Sequence, residues 1–369
     1  MSITHLKNMH PRFLITSALA IGASAFVMGS PALATDPVRI SVIVPVTTGE
    51  WADEIKAGAE AGAVAAGFPV KIRYVGPSAF IPNEMVKIFQ IEAQTRPDVI
   101  IVTNVNSQLM IEPGLEAQEN GVRLAWINSA PTDDFANDLF VSTDPKAVGR
   151  KVASVLSNAL SKQQGVPPAE VRGKIVVGNC VPGLKLLEDR IAGTIAGVAE
   201  FMPKVTFTPT LETKGPREES YAFWSEVVRK YPDALAYQDA CESGEISIPK
   251  VIHDDGLKGI IISYDAPDEI RRAVHSGTIP GAMTSNFFLQ AYYSVLLSAQ
   301  AIHDKKPAPA GWFTVPELYL DSSNIDSYIK AWTAPVSGLA SFNDENIVKS
   351  NAMVKAKQFR ASSEFNKRD

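Results

Sequence analysis

Polar side chains with planar hydrogen-bonding groups follow many of the predicted strands of this chain. They are amides, carboxylates and one guanidinium, accompanied by a few hydroxyls. A carboxylate accepts from two adjacent hydroxyls, a guanidinium donates in a fixed fork, and an amide does one of each. Such groups, brought together, suit a molecule rich in hydroxyls. The candidate ligand-binding residues are Glu50, Trp51, Thr48, Asn128, Asp144, Arg190, Gln238, Asp239, Asp265, Ser285 and Asn286.

Trp51 is the aromatic member of this set. It lies in a predicted loop between the first strand and an Ala-rich helix, Asp53–Ala66. A tryptophan there either packs on its own helix, against Ile55, or forms an apolar wall for the C–H face of a sugar. We favour the wall. Trp224 lies in the middle of a predicted helix and is expected in the core, while Trp312 and Trp332 receive no role.

Asn and Asp after strands also have a simpler explanation. Both residue types cap helices and form turns. For each single residue this explanation is at least as good as ligand contact. The functional interpretation depends on convergence, because the loops occupy equivalent positions at the strand ends.

The positioning elements alternate regularly along the chain. The predicted strands are 38–46, 70–75, 98–103, 122–128, 174–178, 205–211, 234–237, 259–263, 282–284 and 314–320. The predicted helices are 53–66, 83–95, 107–120, 145–160, 186–201, 218–231, 244–254, 267–276 and 287–304. The segment 331–369 shows little periodicity beyond a short helix at 345–359.

This alternation predicts an α/β fold with two doubly wound parallel-sheet lobes. The run Val99–Val102 is apolar throughout, as in a parallel strand covered on both faces. Ligands of such sheets bind outside the carboxyl ends of the strands. If the two lobes face each other there, the site is the cleft between them.

The first 34 residues have the features of an export signal. Lys7 and Arg12 precede the apolar stretch Phe13–Met28, and Ala32-Leu33-Ala34 provides the small residues that a signal peptidase requires. The apolar stretch is shorter than the ~20 residues of a membrane-spanning helix. We therefore expect cleavage after Ala34 and a periplasmic mature chain.

Charge and motifs exclude several classes of function. Loss of Lys7 and Arg12 leaves 33 Lys and Arg against 40 Asp and Glu, a net charge of −7. An acidic surface argues against nucleic acid and anionic membranes as partners. Residues 35–369 hold three histidines, none at a predicted strand end, and no catalytic, metal-binding or phosphate-binding motif. We expect no enzyme activity, no cofactor and no metal.

Several stretches of the sequence resemble one protein family. The resemblance is to periplasmic binding proteins of the ribose/galactose type, the sugar-binding subunits of ABC importers. It runs from Val38 to about Tyr328 and is carried by Trp51–Ala59, Glu119–Val122, Ser142–Gly149, Leu187–Gly193, Tyr264-Asp265 and Val315–Leu320.

The resemblance implies a hinge of three crossovers, near Asp144, Ser285 and Thr314. The first lobe would comprise residues 35–143 plus 286–313, and the second lobe and tail residues 144–285 plus 314–369. The ligand contacts it implies are Trp51, Asn128, Asp144, Arg190, Asp239 or Gln238, Asp265, and Ser285 or Asn286. It also implies an ABC permease as partner, and we expect a monomer.

Departures from the family pattern leave the ligand open. The first loop has Gly49-Glu50 where an Asn-Pro pair is usual, and Asn128 stands where aspartate is usual. The candidates are a free sugar, a sugar alcohol, a sugar acid or a modified sugar. A sensory protein of the same fold, which presents its closed form to a receptor or histidine kinase, is the alternative function.

The chain has two cysteines, Cys180 and Cys241. In an oxidising compartment an even number favours a disulfide, while two buried free thiols are the alternative. In the doubly wound order that the resemblance implies, the first and third strands of a lobe are neighbours. Both cysteines follow such strands in the second lobe, which favours the disulfide.

Overall fold

The computed structural model describes residues 36–367, so the expected export signal at residues 1–34 lies outside the described residues. The strands are β1 (Val38–Ile43), β2 (Val70–Val75), β3 (Val99–Asn104), β4 (Arg123–Asn128), β5 (Leu139–Ser142), β6 (Gly173–Asn179), β7 (Val205–Phe207), β8 (Leu211–Glu212), β9 (Ala236–Asp239), β10 (Ala282–Thr284), β11 (Gly311–Thr314) and β12 (Leu318–Leu320).

The helices are α1 (Glu50–Ala66), α2 (Pro82–Thr95), α3 (Ile111–Glu119), α4 (Pro145–Gln164), α5 (Lys185–Phe201), α6 (Arg217–Lys230), α7 (Glu242–Asp254), α8 (Asp268–His275), α9 (Phe287–His303), α10 (Ile325–Ala331), α11 (Pro335–Phe342), α12 (Asp344–Lys355) and α13 (Ser362–Asn366). Within residues 36–367, none of these helices is both long and apolar enough to cross a membrane.

The first sheet has six parallel strands in the order β2-β1-β3-β4-β5-β11. Every residue of β3 is buried, which accounts for its unbroken apolar run. Helix α1 packs closely on α9 because Gly58 and Gly62 leave no side chain against the backbone of Phe288 and Tyr292. This packing brings the first turn of α1 beside the first turn of α9.

The second sheet is smaller and is centred on β6. Strands β7, β8 and β9 all pair with β6 in parallel. Strand β10 pairs separately, and antiparallel, with β12. Helix α4 packs on α5 beside this sheet. The predicted α/β fold with two parallel-sheet lobes and three crossings is confirmed, the crossings lying after β5, after β10 and between β11 and β12.

Several predicted elements are wrong in detail. The predicted strand 205–211 divides into β7 and β8, and the predicted strand 314–320 divides at Pro316 between the two sheets. Residues 259–263 make only single bridges, at Ile260 and Ser263. Strand β5 was not predicted, because four residues are too few to show a period.

The C-terminal segment is far more ordered than its weak periodicity predicts. Helix α10 contacts α8, α11 contacts α1, and α13 contacts β11. The hydroxyl of Tyr293, on α9, donates to the carbonyl of Ile347, on α12, at 2.9 Å. The segment α10–α13, called the tail below, therefore contacts α1, which belongs to the first lobe, and α8, which lies beside β10. Its periodicity is weak because short helices each bury only a few residues.

Candidate ligand-binding site

A small pocket with a cavity volume of about 20 Å³ lies beyond the carboxyl ends of β1 and β10. Its walls come from the first turns of α1 and α9, the loop before α8, the start of α7, and the tail. The polar part of the lining is acidic, and the apolar part is mostly aromatic. The carboxylates are Glu50, Glu54, Glu242 and Asp265, and the rings are Trp51, Phe287, Tyr328 and Trp332.

Trp51 lies in the first turn of α1, whereas the sequence analysis places it in a loop before the helix. The helix begins earlier than predicted, at Glu50, after Gly49 with a φ of 99°. The Trp51 ring is half-buried and its centroid is 5.8 Å from that of Phe287. The indole thus lines the pocket while one face packs on α9.

Arg190 is the centre of the hydrogen-bond network next to this pocket. Its Nη1 donates to Oδ2 of Asp265 at 3.0 Å, and its Nη2 donates to Oδ1 of Asp265 at 3.2 Å. Nη2 also donates to Oγ of Ser285 at 2.5 Å, and Nη1 to the carbonyl of Ala240 at 3.3 Å. Arg190 is only 2% exposed, and its Nε has no partner among the described residues.

Gln238 has a buried amide with no hydrogen-bond partner on either its nitrogen or its oxygen in the described part of the chain. Its residue is 1% exposed. Buried amides normally have partners, so an unpartnered one calls for an explanation. Gln238 is the last residue but one of β9, the strand that brings Ala240 to Arg190.

A second arginine joins elements of the two sheets. Arg271 of α8 donates through Nη1 to Oε2 of Glu50 at 2.8 Å and through Nη2 to Oε1 at 3.1 Å. The backbone N–H of Asp268 donates to the same carboxylate at 2.8 Å. The Arg271 guanidinium lies 4.8 Å from the centroid of Trp332. This pair ties α1, on the first sheet, to α8, beside β10.

Two further pocket carboxylates have raised pKa values. Burial raises the pKa of Glu54 to about 7; the backbone N–H of Phe288, at 3.2 Å, opposes the shift, and the charge of Asp265 adds to it. Burial also raises the pKa of Glu242, with Asp265 again contributing. Both carboxylates therefore resist ionisation in the ligand-free pocket.

The family of this chain is identified by its sequence over most of the residues that line the pocket. The sequence profile described as the periplasmic binding protein domain matches residues 40–306. The chain belongs to this family. No curated protein matches the chain with significant sequence similarity.

Solved structures of similar fold come from several bacteria. A solute-binding protein from Actinobacillus succinogenes with bound D-allose is 17% identical, with a TM-score of 0.68 over 79% of this chain and 100% of its own. One from Agrobacterium vitis with bound α-D-tagatopyranose is 21% identical, with a TM-score of 0.67 over 78% and 95%. A glucose-galactose binding protein from Geobacillus stearothermophilus is 18% identical, with a TM-score of 0.67 over 79% and 99%.

In this family member, the predicted residues Glu50, Trp51 and Asp265 line one pocket. Arg190, also predicted, donates hydrogen bonds to Asp265 and to Ser285. Other predicted residues serve the fold in the described structure. Asp239 accepts from the indole of Trp224 at 2.8 Å, and burial raises its pKa to about 6. Trp224 is fully buried, as predicted.

Asn286 and Asp144 both cap helices, which was the simpler explanation for such residues. Asn286 accepts from the N–H of Leu289 at the start of α9. Asp144 accepts from the N–H of Lys146 at the start of α4 and also pairs with Arg360 of the tail at 2.9 Å. These side chains fix the points where the chain crosses between the sheets.

Asn128 and Thr48 do not line the acidic aromatic pocket. Asn128 is buried at the end of β4, with a φ of 77°, and its Nδ2 donates to the carbonyl of Asn104 at 3.1 Å. Thr48 is exposed in the loop before α1. The loops after β3, β4 and β6 line a second pocket with a cavity volume of about 380 Å³, and Phe365 of the tail lines it as well.

Three pocket residues were not predicted from the sequence: Tyr328 and Trp332 line the first pocket, and Phe365 lines the second. All three belong to the tail and lie beyond residue 306, where the family match ends. Tyr328 is 1% exposed and Trp332 half-buried. The sequence did contain one signal for them, a cluster of aromatic residues in a segment of weak periodicity. Aromatic side chains are usually packed against another part of the protein, so the cluster indicates that the segment packs on the lobes.

The structure joins Cys180 and Cys241 in a disulfide with Cα atoms 6.1 Å apart. It links the loop after β6 to the start of α7, next to the Ala240 carbonyl that accepts from Arg190. Among residues 36–367, no group of three or more His, Cys, Asp or Glu is placed to hold a metal ion.

Proposed function

We propose that this protein captures a sugar or a related polyhydroxylated small molecule in the cleft and delivers it to an ABC permease. The observation that carries the proposal is the buried Arg190 fork on Asp265, a carboxylate that lines the pocket; the buried, unpartnered Gln238 amide adds to it. A binding protein needs such fixed donors and acceptors, because each ligand hydroxyl that leaves water must be paired again.

The aromatic wall supports the same ligand class. Trp51 and Phe287 present ring surface beside Asp265, so one ligand can be packed and hydrogen-bonded at once. The similar structures named above hold or are named for sugars. Their identities of 17–21% carry the fold alone, so the choice of sugar follows from this chain's own side chains.

Import is favoured over sensing by the family neighbours, two of which are described as ABC transporter solute-binding proteins. In this proposal the chain is exported by its first 34 residues, works in the periplasm as a monomer and has no catalytic step. The two lobes close on the ligand by movement at the three crossings, as expected for such proteins.

A thermal-shift screen against sugars, sugar alcohols, sugar acids and amino sugars tests the proposal. A ligand that binds only the folded state raises the melting temperature. Trp51→Ala should abolish most of the shift, whereas Phe80→Ala should not, because Phe80 is an exposed ring outside the pocket. A screen without any stabilising ligand, or a shift that survives in Trp51→Ala, would count against the proposal.

A further inference from the structure

We infer that the preferred ligand carries a protonated amine as well as hydroxyls, and that its ammonium group binds beside Glu54. The inference rests on the proposed function and narrows its ligand class. It follows from two features of the pocket lined by Glu50, Glu54, Glu242 and Asp265. The pocket has more carboxylates than cations, and aromatic rings surround them.

Two of the four pocket carboxylates are paired with buried arginines. Glu50 receives both terminal nitrogens of Arg271, and Asp265 receives both terminal nitrogens of Arg190. Arg190 is neutralised by Asp265, and Arg271 is shared between Glu50 and Asp268, whose Oδ1 lies 3.5 Å from its Nη2. Neither arginine has a full charge left for Glu54.

Glu54 has no such partner. Its Oε1 accepts from the backbone N–H of Phe288 at 3.2 Å, and no ion pair joins it to a cation within residues 36–367. The residue is 6% exposed, yet it lines the pocket. A carboxylate removed from water without a cation is costly, and a ligand cation would remove that cost.

Glu242 adds to the imbalance. Its partner is Arg217, at 3.2 Å, which also pairs with Glu269 at 2.7 Å. The Arg217 side chain is 56% exposed, so solvent screens its charge. The pocket therefore holds more negative than positive charge, which disfavours a sugar acid.

The aromatic rings suit a cation as well as a sugar face. Trp51, Phe287 and Trp332 line the pocket together with Glu54. The face of an aromatic ring attracts cations, and Arg271 already lies over Trp332 at 4.8 Å. Acidic groups inside an aromatic enclosure are the combination that amines require, while a neutral sugar needs only the rings and hydrogen bonds.

The ionisation of Glu54 supplies a distinct pH signature. The charged groups that face it are Glu50 on its own helix, Asp265 before α8 and Arg271 on α8, with Tyr328 of the tail nearby. Burial, the largest cause, raises the pKa of Glu54 to about 7. A cationic ligand binds its ionised form, so affinity should rise from about pH 6 to about pH 7.5. A neutral ligand should show no such rise.

Calorimetric titration with matched ligands tests the inference. The probes are glucosamine and galactosamine, their neutral counterparts glucose and galactose, N-acetylglucosamine and glucuronate. The amines should bind about tenfold tighter than their neutral counterparts at about pH 7.5. Glu54→Gln should remove this preference and its pH dependence, whereas Glu60→Gln, exposed on the same helix, should keep both.

The outcomes separate this inference from the proposed function. Equal or tighter binding of the neutral sugars, or of glucuronate, overturns the inference and leaves the proposed function standing. No binding by any member of the panel overturns both. If Glu54→Gln does not fold, the comparison of amine with neutral and N-acetylated sugar in the unchanged protein decides the question alone.

Discussion

Two buried arginines in this protein make ion pairs of different kinds. Arg190 pairs with Asp265, and both belong to elements beside the second sheet. Arg271 pairs with Glu50, which begins a helix of the first sheet. Their side chains are 3% and 6% exposed, so burial does not distinguish them.

The difference is what the pairs connect. The Arg190 pair lies within one wall of the candidate site, so the proposed opening of the lobes would leave it unchanged. The Arg271 pair joins α1 to α8, so the same opening would break it. Chemically similar pairs can therefore serve preorganisation in one place and closure in another. Substitutions at each pair distinguish these two roles.

Arg190→Ala should have the largest effect. It leaves the Asp265 carboxylate, whose side chain is 22% exposed, without its arginine. Removal of one partner of a buried pair costs about 3–5 kcal/mol, and the partial exposure of Asp265 places the expected loss at the lower end of that range. We expect that loss in the free energy of unfolding and no measurable ligand binding. Urea denaturation and calorimetry measure the two. Arg150→Ala, which removes an exposed pair with Glu200, is the control and should change neither. A stable Arg190→Ala variant that still binds would remove the preorganising role.

Loss of the disulfide should act on the Arg190 side alone. The bridge closes a loop of 61 residues, worth about 4 kcal/mol in the chain-entropy view. The Cys180→Ser/Cys241→Ser double variant should lose stability by roughly that amount and bind more weakly, since the bridge holds the loop of Ala240. The control is thiol titration of the unfolded, unreduced protein, which should find no free thiol. Two titratable thiols would refute the bridge.

The pH dependence of stability tests whether Glu54 lacks a cationic partner. It lacks one only if Arg190 and Arg271 are both neutralised by other carboxylates. The folded-state pKa of Glu54 is about 7 against an ordinary value of 4.5. The stability from its protonated form is complete below about pH 4.5 and is lost as pH rises through 7, a change on the order of 3 kcal/mol. Glu54→Gln should flatten that part of the curve for the ligand-free protein.

Asp138 and Asp239 shift the curve in the same direction, each having a pKa raised by burial to about 6. Only the difference between the unchanged protein and Glu54→Gln therefore reports on Glu54. Identical curves for the two proteins would mean that Glu54 has a free cation nearby, contrary to the pairing described here.

Glu50→Gln should have the smallest effect on stability and a selective effect on binding. It removes the charge that holds Arg271 across the cleft, so the closed form is less favoured. We expect a loss of about 1–2 kcal/mol in binding free energy, with the melting temperature of the ligand-free protein nearly unchanged. Asp53→Asn, exposed in the same helical turn, is the matched control. A stability loss without a binding loss would place this pair with Arg190.

The strand-end rule predicted much of the fold and part of the candidate pocket. Loops after parallel strands converge, and of the residues that this rule indicated, Glu50, Trp51 and Asp265 line the pocket and Arg190 bonds to Asp265. The rule cannot tell a ligand group from a helix cap, since Asn286 has the same chemistry in both roles. Burial and partners, which only the structure provides, make that distinction.

Other parts were not predictable for physical reasons. Trp332 reaches the site through long-range packing of a short helix, which leaves no local pattern. The sequence contains one signal for Glu54 that was not used. Glu54 lies four residues after Glu50, on the same face of the helix. Carboxylates repeated at that spacing beside a predicted site indicate a charge that some partner must balance.

A crystal structure of the complex with the tightest-binding ligand from the screen decides whether the ligand lies between Trp51 and Arg190. We predict a hydroxyl-rich ligand packed on the ring of Trp51 and bonded to Arg190 or Gln238, with the Glu50–Arg271 pair formed across it. A ligand bound on an outer surface, with the ring of Trp51 and the Arg190 fork left uncontacted, would contradict the account.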